Sequence, residues 1–88
     1  MYALFYDYVD DILERRAPHR DAHLARLRTW KDDGRIVLAG AYGDPPKGAL
    51  IIFDVDDATE VELFAVEDPY VLQGLVTARR IEPLAVVS

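Results

Sequence analysis

The sequence contains no cysteine, so disulfide staples, thiolate nucleophiles and cysteine metal centres are all excluded. It also has no apolar run approaching membrane-spanning length. The opening MYALFYDYVDD turns acidic where a secretory signal needs a long apolar core, so a cytoplasmic location is expected. Basic residues are in the minority, 10 against 16 acidic ones, for a formal net charge of -6. That balance repels nucleic acid unless the basic groups gather on one face. Arg15, Arg16, His19, Arg20, Arg26 and Arg28 are the nearest approach to such a cluster. Asp10, Asp11, Glu14 and Asp21 are interleaved with them, which reads as a salt-bridged helix surface. No aromatic–basic strand pattern of the RNA-recognition type is present.

What remains is a chain of 88 residues, 51% apolar and 30% charged, the composition of a globular protein. That length suits one domain, residues 1–88. A domain of this size buries a modest share of its surface, and oligomerisation is a natural way to bury more.

Tyr2 to Tyr8 is aromatic-rich and predicts a first strand, with Tyr2, Leu4 and Tyr6 on one face. Asp10 and Asp11 open a polar stretch with room for a helical turn. Pro18 suits the first turn of a longer helix, which runs to about Asp33 and stops at Gly34. Leu24, Leu27 and Trp30 form its buried stripe, and His23 lies on the edge of that stripe. Ile36 to Ala39 predicts a second strand, followed by a turn-rich loop from Gly40 to Gly48. Ala49 to Val55 predicts a third. Asp56 or Asp57 caps a second helix that points Val61, Phe64 and Ala65 inward. Asp68-Pro69-Tyr70 begins a small turn closed by Gly74. Leu75 to Val87 predicts a long last strand, with Pro83 marking an edge or bulge. The order β-α-β-β-α-β predicts a ferredoxin-like α+β fold, one antiparallel sheet with two helices on one face. The other face is left without a helix, so a homodimer pairing sheet faces is expected.

The stretch Arg20-Asp21-Ala22-His23-Leu24-Ala25-Arg26-Leu27, then Asp33-Gly34-Arg35, Ala39-Gly40, Asp68-Pro69-Tyr70 and Gly74 resembles the YCII-related proteins. The resemblance spans nearly the whole chain. It implies the dimeric α+β barrel group, which includes muconolactone isomerases, small monooxygenases and, in one branch, a dehydrochlorinase acting on a chlorinated hydroxyhydroquinone. By motif position it implies a His–Asp pair at His23 and Asp68, serving a small-molecule substrate. Two departures stand out. Gly40 is followed by Ala41 where the family often has proline, and the loop from Tyr42 to Lys47 is short.

A histidine beside a carboxylate is an acid–base device: the carboxylate fixes the tautomer and leaves the other ring nitrogen for a substrate proton. Such a pair supports elimination or isomerisation without metal or cofactor, so none is expected. Simpler roles exist for each residue. His23 could be a core-edge histidine held by a backbone carbonyl. Asp before proline is an ideal helix N-cap. The two roles of Asp68 are compatible, because a carboxylate has several acceptor sites. Arg20 could orient an anionic or phenolate substrate or pair with a surface acid. Tyr70 and Gly40 could line the pocket, while Tyr6 and Trp30 read as core. His19 and His23 share the i, i+4 spacing of a metal pair but lack a third ligand. The acidic stretch Asp54 to Asp57 lacks the glycine and glutamate of a calcium loop. The leading reading is a cofactor-independent lyase or isomerase. The alternative is a non-catalytic dimeric module that binds a ligand or a protein, whose pocket would lack a free imidazole nitrogen.

Overall fold

The computed structural model describes residues 1–88. Strand β1 (Tyr2–Tyr8) leads into a one-turn helix α1 (Ile12–Arg15), a 3-10 turn at Ala17–His19 and the long helix α2 (Arg20–Asp32). Strands β2 (Ile36–Tyr42) and β3 (Gly48–Phe53) follow, then α3 (Ala58–Glu67), the short α4 (Pro69–Leu72) and β4 (Val76–Pro83). The sheet order is β2-β3-β1-β4 with every neighbouring pair antiparallel, which is the ferredoxin-like arrangement. Both long helices lie on one face. Arg79 on β4 reaches Glu62 on α3 at 2.8 Å, and α2 packs on β2.

Alternation along the strands sorts the two faces. Leu4, Tyr6, Ile51 and Phe53 point under the helices and are buried. Phe5 pairs with Leu50, and Ile52 with both Ala3 and Leu38, on the face that no helix covers. Val61, Phe64 and Ala65 are fully buried on α3. Asp57 caps that helix, accepting from the Thr59 amide at 2.8 Å. Gly34 takes φ 80° and closes α2, as its position predicts.

Several boundaries differ from the sequence reading, among them β3, which runs Gly48–Phe53 in place of Ala49 to Val55. Strand β2 runs on to Tyr42, so Gly40 belongs to a strand and not to the turn-rich loop. Tyr42 is held there because its hydroxyl donates to the Tyr6 carbonyl at 2.8 Å, across Gly48. A Cβ on Gly48 would overlap both atoms, which is why glycine stands at that crossing. Strand β4 ends at Pro83, whose ring has no N–H to carry the ladder further. Pro18 opens the 3-10 turn instead of α2 itself.

Candidate active site

Pro69 shapes the site before any side chain does. A residue preceding proline is pushed out of helical geometry, and Asp68 is extended at φ -66° and ψ 126°. The break ends α3, starts α4 and leaves Asp68 as the N-cap, its Oδ1 accepting from the Tyr70 amide at 3.0 Å. The carboxylate lies wholly inside the protein, 0% exposed. Two further donors meet it there. His23 Nδ1 on α2 lies 2.8 Å from Oδ1, and the Tyr6 hydroxyl on β1 donates to Oδ2 at 2.9 Å. Three donors around one buried carboxyl are what an ionised oxygen pair needs to avoid a large desolvation cost.

A carboxylate only accepts, so Nδ1 of His23 carries the shared proton. Nε2 is then the free position of the ring, and it has no hydrogen-bond partner in the chain. The imidazole plane is fixed as well. Tyr70 stacks on it with centroids 3.8 Å apart and planes 8° from parallel. Tyr6 keeps its role at every working pH. Burial first, then the charge of Asp68 and the hydrogen bond to it, push the Tyr6 phenol far above its ordinary range.

His23 and Tyr70 form one wall of a cavity of about 230 Å³. The cavity lies between α2 and the β2–β3 half of the sheet, with Leu24 and Leu27 on one side and Ala39, Gly40, Ala41 and Ala49 on the other. The small side chains of Ala39, Ala41 and Ala49, on the helix-facing side of the strands, leave the space open, and Gly40 between them contributes backbone. The cavity also explains why Leu24 and Leu27 are only half-buried although they belong to the apolar stripe, while His23 is 5% exposed. Tyr8, Arg16 and Arg20 complete the lining.

The structure thus brings His23, Asp68, Tyr70, Arg20 and Gly40 to one place: Asp68 lies behind the wall and the other four line it. Tyr6 is core, as expected, but its hydroxyl also serves the carboxylate. Its place on the inward face of β1 is legible in the sequence; a partner 62 residues away is not. Arg16 and Tyr8 were likewise absent from the expected site. The expected salt-bridged surface is only partly realised. Arg15 pairs with Asp11 at 3.6 Å and Arg26 with Glu67 at 3.8 Å, whereas Arg16, Arg20 and Arg28 form no ion pair. No helix is long and apolar enough to cross a membrane.

The model of the YCII-related domain matches residues 1–85. The chain belongs to the YCII-related family. Among members of that family, it is 30% identical over 92 residues to Protein YciI of Escherichia coli O6:H1, with 94% of each chain covered. An uncharacterised protein of Haemophilus influenzae is 29% identical over 91 residues, with 93% of each covered. Among solved structures, the fold is similar to 5-chloro-2-hydroxyhydroquinone dehydrochlorinase (TftG) of Burkholderia phenoliruptrix, in complex with 2,5-dihydroxybenzoquinone. That likeness has a TM-score of 0.79 and 26% identity, over 97% of this chain and 94% of the dehydrochlorinase. Family membership and this neighbour point to a small-molecule enzyme.

Proposed function

We propose that the protein is a cofactor-independent lyase or isomerase acting on a small phenolic molecule, with His23 as acid and base and Asp68 as the group that orients it. The observation that carries this reading is the 2.8 Å contact from Nδ1 to a buried carboxylate, with Nε2 left free on a cavity wall. The fixed tautomer and the free nitrogen are what a general base needs. The dehydrochlorinase, whose complex holds a ring-sized ligand, supports the size and class of substrate.

In this reading Nε2 removes a proton from a ring hydroxyl or an activated carbon. The electron pair left behind moves into the ring. It departs with a leaving-group anion, or it is reprotonated at another carbon by the imidazolium. Asp68 balances the transient positive charge on the His23 imidazolium, and Tyr6 and the Tyr70 amide keep Asp68 in place. Tyr70 and Gly40 shape the wall against which the ring lies, and Arg20 faces the same space. The protein works as a homodimer whose uncovered sheet faces, carrying Phe5, Leu38 and Leu50, meet each other. Sedimentation at micromolar concentration checks that part of the reading.

The test is release of halide, or isomerisation, from a panel of halogenated and hydroxylated benzenes. His23→Gln and Asp68→Asn should each lower turnover by about 10²- to 10⁴-fold, the usual contribution of a positioned acid–base group. Unchanged turnover in both variants would sink the proposal. Nitrogen-15 shifts of His23 give a second readout: one tautomer in the parent protein, a mixture in Asp68→Asn.

A further inference from the structure

The cavity carries two positive charges that nothing in the chain neutralises. Arg16, at the end of α1, and Arg20, at the start of α2, are four residues apart, and both line the space that His23 faces. Their neighbour Arg15 takes Asp11 as a partner, yet the side chains of Arg16 and Arg20 form no ion pair and no hydrogen bond within the chain. In a chain with a net charge of -6, two unpaired guanidiniums on one cavity wall are a local exception to the field of the whole protein. Tyr8 lines the same cavity, and its ring meets that of Tyr70 edge-on at 6.0 Å. Burial pushes the Tyr8 phenol up, and Arg16 and Arg20 pull against that shift, so both charges reach this corner. A second polar group is also unsatisfied. The Tyr70 hydroxyl is buried without a partner, although its ring lies on the cavity wall. That hydroxyl is closed off from the cavity space, so the two guanidiniums are the groups that can meet a ligand's charged oxygens.

We infer that the cavity selects a flat organic anion, its charged oxygens held by Arg16 and Arg20 and its ring lying along the apolar wall beside His23. The inference rests on the proposed catalytic reading for the identity of the site, and it adds the charge of the substrate. Guanidinium forks suit delocalised planar oxyanions such as carboxylates and phenolates better than a point charge would. A volume of about 230 Å³ is below the roughly 300–1,000 Å³ of pockets for drug-sized ligands, which limits the occupant to about one substituted ring. The arrangement also divides the work. The arginines recognise the anion at the mouth, and the His23 pair acts further in.

An isosteric pair of probes tests the charge alone. The full-length protein is titrated with 4-hydroxybenzoate and with 4-hydroxybenzamide, and binding is followed by amide shifts in ¹H–¹⁵N NMR spectra. The carboxylate should bind about tenfold more tightly than the amide, with shifts centred on His23, Leu24 and Ala39. The double variant R16Q/R20Q should lose that preference while its affinity for the amide stays the same. Added salt should weaken the carboxylate and spare the amide. Equal binding of the two probes by the parent protein overturns the inference. So does a preference that survives in R16Q/R20Q, or no saturable shift from the carboxylate. Should R16Q/R20Q fail to fold, the parent protein's preference decides the matter. His23→Gln separates this inference from the catalytic one. It should keep the preference for the anion while losing turnover; unchanged turnover sinks the catalytic reading alone, and a parent protein that turns over substrate without preferring the anion sinks this inference alone.

Discussion

The two ends of the helix-covered face are built on opposite plans. At one end Trp30, Phe53 and Phe64 meet edge-on, with centroids 5.1 to 6.0 Å apart, in a cluster that contains no buried charge. At the other end a buried carboxylate gathers a histidine, a tyrosine hydroxyl and a backbone amide beside an open cavity. The first end is held by area and shape, and each contact there is tolerant of small displacement. The second is held by three hydrogen bonds to one side chain, and losing any donor leaves a buried oxygen short of a partner. The aromatic end therefore supplies stability, and the polar end draws on it to keep a charged group out of water.

Substitutions should separate the ends. Phe64→Ala at the aromatic end should cost about 3–5 kcal/mol, a large share of the roughly 5–15 kcal/mol that stabilises a domain. Denaturant unfolding reads that cost, and whatever turnover the folded fraction shows should be unchanged per molecule. Lower turnover per folded molecule would mean that the two ends are mechanically joined. Tyr6→Phe at the polar end should cost less, about 1–3 kcal/mol, because Oδ2 of Asp68 is left buried without its donor. Unlike Phe64→Ala, it should also disturb the nitrogen-15 shifts of His23. A Tyr6→Phe variant with lower stability and an unchanged His23 signal would reduce Tyr6 to a core residue. The smallest effect belongs to neither end. Asp57 is exposed, and its carboxyl lies below its ordinary value because the Thr59 amide donates to it. A depressed folded value gives stability above the unfolded value and loses it as pH falls through the folded one. The small gap in melting temperature between the parent and Asp57→Ala should thus be full at neutral pH and close in acid. A gap that stays constant into acid would show that the charged carboxylate is not what caps the helix.

The same contrast decides what could be read from the sequence. Val61, Phe64 and Ala65 announce the aromatic end through helical spacing, and Leu4 and Tyr6 through strand alternation, because burial of apolar groups is periodic. Asp57 and Asp68 are legible as caps from local chemistry alone. The link between His23 and Asp68 is not periodic and spans 45 residues, so it entered the reading only through the family resemblance. The hydroxyl of Tyr6 and the unpaired state of Arg16 and Arg20 left no signal. The interleaved acids Asp10, Glu14 and Asp21 suggested partners that the geometry of the 3-10 turn does not deliver. Gly40 and Gly43 give the second half of β2 the appearance of a turn, although it continues as a strand to Tyr42. The ladder with β3 holds these residues extended, and the bond from Tyr42 to β1, reaching over Gly48 of β3, joins residues 36 apart.

The position of Trp30 has a practical consequence. The chain has a single tryptophan. Its ring packs against Phe53 and Phe64, with the Arg35 guanidinium 3.7 Å above it. Its emission therefore reports on the aromatic end and on global unfolding, while the chromophores at the cavity are tyrosines. A ligand can fill the site and leave tryptophan fluorescence flat, so screens for this protein's substrate should read the tyrosines or the imidazole.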